Sequence, residues 1–256
     1  MESFSLARRL HAGETVYSAW CPGGSPLVAE TIAREGFSAV VLDSQHGLWD
    51  MAGLITGIGA LHHAGAAPGV RIPLNDYAMC SRALDCGAEV IVAPMINTET
   101  DARAFAAAAK YPPIGERSWG PLRAMPLQRR TVNTEYLREA NEGTLTLAMI
   151  ETRTALNNVD AIAATPGIDA LFIGPYDLST ALSAGKAQDI DAPEVVEAIE
   201  RIRAAAAKAG KIPAIYCRDA ARALAMQKRG FKFIAVASDL GIVREGASAI
   251  LKALKQ

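Results

Sequence analysis

The chain has 256 residues, half of them hydrophobic and 21% charged, with a formal net charge of -1. That length is about that of one (β/α)8 barrel, and the apolar fraction can fill a large core, which excludes disordered and collagen-like classes. A near-neutral chain without a basic stripe is not expected to bind nucleic acid, and no window approaches the roughly 18 apolar residues of a membrane span.

The N-terminal stretch MESFSLARRLHAGE lacks the apolar run of a signal peptide. Cys21, Cys80, Cys86 and Cys217 form no CxxC pair. They read as reduced thiols, so a cytoplasmic location is expected.

Short β-rich runs alternate with longer helical ones. The strands read as 15–20 (TVYSAW), 38–43 (SAVVLD), 69–73 (GVRIP), 89–94 (EVIVAP), 145–151 (LTLAMIE), 170–174 (ALFIG), 212–217 (IPAIYC) and 232–237 (KFIAVA). Most are near-continuous apolar runs, as parallel strands covered on both faces should be. Between them, Ser25-Pro26 opens a helix that Gly36 stops, and Asn75 is read as the cap of the next one before Gly87. Thr98 caps a helix that runs towards Pro112, and Pro193 begins one that Gly210 ends. Eight strands with helical crossovers predict an α/β fold closed as a (β/α)8 TIM barrel, a single domain over 1–256. Residues 112–143 interrupt the rhythm with a long connection holding Trp119, Arg117, Arg123, Arg129 and Arg130. It reads either as a solvated excursion with one helix near TEYLREAN, or as a lid or subunit contact offering an arginine to an anionic substrate.

In such a barrel the chemistry sits where strands end at the C-terminal rim. There the second strand delivers Asp43 and His46, the third Arg71, the fifth Glu151, and the sixth Gly174, Pro175, Tyr176 and Asp177. Asp177 also suits a helix cap, and Arg71 a structural ion pair. Glu151 at the end of a buried run needs a partner or a metal. His11, His62 and His63 read as ordinary surface or core residues. Carboxylates without paired histidines or cysteines suit a hard divalent cation such as Mg2+, Mn2+ or Co2+, which polarises a 2-oxo acid. No lysine falls at a strand's C-terminal end. Lys211 and Lys232 precede the seventh and eighth strands, which argues against a Schiff-base route.

At these residues the sequence resembles the class II hydroxy-keto-acid aldolases, within the 4-hydroxy-2-oxoheptanedioate aldolase and citrate lyase β-subunit superfamily. The segments that carry the resemblance are VVLDSQHG, GVRIPLND, VIVAPMINTETDARA, KYPPIGERSWG, AMIETRTALNN and GIDALFIGPYDLS. The resemblance implies a metal-dependent aldolase that splits 4-hydroxy-2-oxo acids into pyruvate and an aldehyde. It implies His46 as the base, and Arg71 as the group that steadies the enolate. Glu151 and Asp177 would be metal ligands, and the backbone from Gly174 to Tyr176 the seat of the pyruvate carboxylate. Asp85 matches an aspartate that tunes the histidine. It falls near the end of the helix after the third strand, so it would serve a neighbouring subunit, whereas Asp43 is nearer in sequence; both stay open. Family members are typically hexamers with exchanged terminal helices, and the run GIVREGASAILKALKQ suits either such an exchange or ordinary barrel closure. Two positions depart from the pattern: Gln45 where glutamate is common, and Met149 where the heptanedioate aldolases often have glutamine. The alternatives are an acyl-CoA lyase of the same superfamily and a non-catalytic barrel that binds 2-oxo acids.

Overall fold

Residues 4–255 are described by a computed structural model. The strands are β1 Val16–Cys21, β2 Ala39–Asp43, β3 Ala67–Arg71, β4 Val90–Ala93, β5 Leu145–Ile150, β6 Ala170–Ile173, β7 Ile212–Cys217 and β8 Phe233–Ser238. Each pairs in parallel with the next, and β8 pairs with β1, so the sheet closes into a barrel. The TIM-barrel expectation holds, and all eight strands lie where the apolar runs predict them. β3 starts two residues early because Pro68 and Gly69 carry little strand signal but are held between β2 and β4 by the closed sheet.

The helices are α1 Ser5–His11, α2 Pro26–Arg34, α3 Met51–Ala64, α4 Tyr77–Asp85, α5 Glu99–Ala109, α6 Ala124–Leu127 and α7 Asn133–Gly143. The second half of the chain adds α8 Arg153–Asn157, α9 Val159–Ala164, α10 Pro175–Leu182, α11 Pro193–Lys208, α12 Ala220–Lys228 and α13 Asp239–Leu254. Ser25 caps α2 through Val28 N–H, and Thr98 caps α5 in a capping box with Asp101. The cap of α4 is Asp76 and not Asn75: the Asp76 carboxylate accepts from Met79 N–H. Asn75 instead takes a left-handed turn at φ 58°, a conformation asparagine tolerates well.

Two apolar layers follow from the period-two alternation of the strands. Outward residues such as Val40, Leu42, Val70, Ile91 and Ile150 pack under the helices. Inward residues such as Val41, Ala67, Val92, Leu147, Phe172 and Phe233 fill the barrel, and Leu6, Ala7 and Leu10 of α1 close its N-terminal mouth.

The connection after α5 is not a lid over the chain's own site. It links a helix end to the start of β5, so it begins at the N-terminal rim and runs along the outside of α3 and α4. There Arg117 pairs with Asp85 at 2.6 Å, and Arg123 donates to the carbonyl of Ile55. Its one long helix, α7, lies where TEYLREAN predicts it. Lys110, at the end of α5, is buried and donates to Asp169 and to two backbone carbonyls.

The C-terminal helix α13 buries only Asp239, whose carboxylate accepts from Gly23 N–H at 2.9 Å. Leu240, Val243, Ile250, Leu251 and Leu254 are exposed. Between α2 and α12, beside β1 and β8, an apolar groove of about 380 Å³ lies open, lined by Tyr17, Phe37, Ala223, Leu224 and Val236. Among the described residues, no helix is long and apolar enough to cross a membrane.

Candidate active site

The inward alternation continues beyond the apolar layers and turns polar at the C-terminal rim. Two residues after Val41 comes Asp43, two after Met149 comes Glu151, two after Phe172 comes Gly174, and two after Ala214 comes Tyr216. These last inward positions surround a cavity of about 160 Å³ lined by Trp20, His46, Arg71, Met149, Glu151, Phe172, Gly174, Tyr176, Asp177 and Tyr216. A barrel's functional groups belong at this rim.

Asp43 and Arg71 sit opposite one another in the register of β2 and β3. The guanidinium grips the carboxylate with both arms, Nε to Oδ1 at 2.9 Å and Nη2 to Oδ2 at 2.5 Å. Trp20 Nε1 also donates to Oδ2, and the guanidinium lies 5.0 Å over the Trp20 ring. Burial pushes the Asp43 carboxyl up, but the bonds and charge of Arg71 prevail and hold it below its ordinary value. Oδ1 also accepts the backbone N–H groups of Gln45 and His46. Asp43 thus shapes the loop that carries His46 and fixes Arg71, but it does not hold the imidazole. The His46 ring makes no hydrogen bond among the described residues. Gln45 leaves its buried Oε1 without a partner there.

Glu151 is 2% exposed. Its Oε2 accepts Met95 N–H at 3.1 Å, and Met95 is turned into the left-handed region, φ 54°, as it makes this contact. For a non-glycine residue that turn costs about 1–2 kcal/mol. Burial first, and the neighbouring charge of Asp177 after it, push the Glu151 carboxyl up to about 7. A β-carbon at Gly174 would lie 2.3 Å from Glu151 Oε1, so only glycine leaves this carboxylate its seat. Asp177 stands in the first turn of α10 and makes no capping bond; Gly174 is the N-cap. Of the other residues predicted here, Tyr176 lines the cavity with Gly174, whereas Pro175 is the buried first residue of α10 and does not. Asp85, the last residue of α4, lies towards the opposite rim and outside the cavity.

Two acidic side chains, one just past β5 and one in the first turn of α10, with Glu151 held above its ordinary range by burial first and by the charge of Asp177 after it, form a donor set that a hard divalent cation fits. Among the described residues there is no group of three or more histidine, cysteine or acidic side chains with ligand spacing.

The walls were not foreseen from sequence. Trp20 stacks on Phe172 at 5.7 Å and meets Tyr216 edge-on at 5.9 Å, and Tyr216 lies 6.3 Å from Tyr176. For Trp20, Phe172 and Tyr216 the signal was the period of two: each is the last aromatic on the inward side of its strand, whereas Tyr176, expected at the site, is on α10. His62 Nε2 donates to the carbonyl of Gly87 and is structural, and His11 and His63 are exposed, as expected.

The sequence profile of the HpcH/HpaI aldolase/citrate lyase family matches residues 17–246. The chain belongs to this family. A hydroxypyruvate/pyruvate aldolase of Rhizorhabdus wittichii is 38% identical over 239 residues, covering 93% of this chain and 94% of the relative. A 5-keto-4-deoxy-D-glucarate aldolase of Klebsiella pneumoniae is 34% identical, covering 96% and 95%. The crystal structure of an HpcH/HpaI aldolase/citrate lyase family protein from Burkholderia cenocepacia superposes with a TM-score of 0.90 at 30% identity, covering 99% of this chain and 100% of that one. The resemblance seen in the motifs is thereby borne out, and this HpcH/HpaI family member is a carbon–carbon lyase of the aldolase type.

Proposed function

We propose that this aldolase reversibly cleaves 4-hydroxy-2-oxo acids to pyruvate and an aldehyde, using a divalent cation (Mg2+, Mn2+ or Co2+) held by Glu151 and Asp177. The observation that carries the reading is the pairing of these two acids in one small cavity, with Glu151 pushed up to about 7. A buried carboxylate beside a second acid, with no cation between them, is costly to charge. The names of the relatives, which act on pyruvate, hydroxypyruvate or a keto-deoxy sugar acid, support the substrate class.

The bound cation would supply Lewis-acid charge at the C2 carbonyl. His46, free of any partner, takes the proton from the C4 hydroxyl. The C3–C4 bond then breaks and its electrons move towards the C2 oxygen. Arg71, fixed by Asp43, steadies that oxygen and the neighbouring carboxylate. The N-terminus of α10, at Gly174 to Tyr176, offers backbone N–H groups and the positive end of the helix dipole to the same carboxylate. The proton returns to C3 and gives pyruvate.

We also read the protein as a homo-oligomer, a hexamer by the family's habit, in which α13 crosses into the α2–α12 groove of another copy. The exposed leucine, valine and isoleucine side chains of α13 and the open apolar groove support this. Asp85 is then assigned to the His46 of a neighbouring copy. Four free cysteines, with burial pushing the thiols up, suit a reducing cytoplasm. Chelator-stripped protein should lose both retro-aldol turnover and exchange of the pyruvate C3 protons in heavy water, and Mg2+ should restore both. Full turnover in the stripped protein would overturn the metal route.

A further inference from the structure

Arg117 is an arginine with a fully buried side chain whose role nothing above assigns. Its residue is 4% exposed, and its one ion-pair partner among the described residues is Asp85, at 2.6 Å from Nη2 to Oδ1. Nε and Nη1 are buried without hydrogen-bond partners there. The guanidinium lies 4.5 Å over the Tyr111 ring, and Trp119 packs against Tyr111 and Tyr136 to close the nest. The backbone is pinned as well, with Arg117 N–H on the carbonyl of Lys110 at 2.9 Å.

The other end of the pair faces outward. The Asp85 side chain is 28% exposed. Its Oδ2 lies against Gly120, where a β-carbon would be 2.9 Å away. Trp119, next to Gly120 in the chain, is half-exposed. The carboxylate is gripped on one side by a buried cation and reaches solvent on the other. On the opposite rim, exposed His46 has an imidazole without a hydrogen-bond partner among the described residues. An exposed pair would need no such nest, because surface ion pairs contribute little. Burying a guanidinium costs several kcal/mol, and this one is answered by a single ion pair, to Asp85, with the Tyr136 hydroxyl also close.

We infer that Arg117 is a positioning residue: it holds the Asp85 carboxylate in the rotamer with which it engages the His46 imidazole of a second copy of the chain. The inference rests on the assignment of Asp85 to a neighbour's His46. Arg117 touches neither substrate nor metal. It acts by removing the freedom of Asp85, as an outer partner orients a group that does the chemistry.

The test is a cycle of Arg117→Met, Arg117→Lys and Asp85→Asn, alone and combined. The rate of pyruvate C3 proton exchange in heavy water with Mg2+, its half-saturating pyruvate concentration and the mass in solution are read for each. Arg117→Met should lower the maximal rate about 10- to 100-fold with half-saturation and mass unchanged, and Arg117→Lys should recover part of the loss. In the Asp85→Asn background neither change should lower the rate further. An equal loss in that background, or a loss that follows dissociation of the oligomer, overturns the positioning role. If Arg117→Met does not fold, the lysine variant carries the same comparison. Asp85→Asn at the wild-type rate would instead remove the assignment of Asp85, and the inference with it.

Discussion

At the scale of single residues, the cavity joins two opposite electrostatic solutions. Asp43 is buried but answered by a guanidinium on the neighbouring strand, so it is held in its charged form. Glu151 is buried and answered by another acid, so it is pushed up to about 7 from an ordinary 4.5. The sign of the linkage follows. A carboxyl raised in the folded state stabilises it at pH below about 4.5, and that contribution is lost as the pH climbs through 7. Metal-free Glu151→Gln should therefore melt higher than the metal-free parent at pH 8, and no higher at pH 4. The variant should also fail to bind a cation and to turn over. Melting curves at the two pH values with a metal titration check this; equal melting at pH 8 would show that burial and the charge of Asp177 do not make the Glu151 carboxylate costly. A site that weakens its own metal-free fold is a familiar trade between stability and function.

At the scale of elements, local chemistry wrote most boundaries. Thr98 and Asp101 exchange bonds at the start of α5, and Asp101 also takes the N–H of Asn97. Thr98→Ala should cost about 1 kcal/mol and lower the thermal midpoint by about 2–4 °C for a chain of this size, read by calorimetry. No drop would mean that packing alone sets the start of α5. At α4 the sequence reading put the cap at Asn75, but Asp76 next to it holds the place, because the turn after β3 puts Asn75 in the left-handed region. The long connection behaved likewise. Its arginines marked it as special, but whether it faced the catalytic rim depended on its joining the end of α5 to the start of β5. That fact places it at the opposite end of the barrel.

At the scale of the whole molecule, the barrel is complete in its sheet but not in its outer ring. α13 turns away with its apolar residues in water, and the groove between α2 and α12 remains open. Joint Ile250→Asp and Leu254→Asp should convert the assembly into smaller species, read by light scattering, because charge on that face cannot enter an apolar groove. An unchanged mass would show that α13 holds no copies together. The catalytic consequence is separable, since the cavity residues lie on one chain and only the proposed partnership of Asp85 needs two.

The sequence by itself determined the strands, the barrel class and the meeting of His46, Arg71, Glu151 and Asp177 at one cavity, because apolar periodicity and strand ends are local facts and a barrel brings all strand ends to one rim. Only the tertiary structure decided that Asp43 grips Arg71 rather than the imidazole, that Trp20, Phe172 and Tyr216 form the walls, and that Asp85 is tied to a buried Arg117. Those contacts join residues far apart in the chain, and their geometry depends on register and on loop direction, which no short stretch of residues encodes.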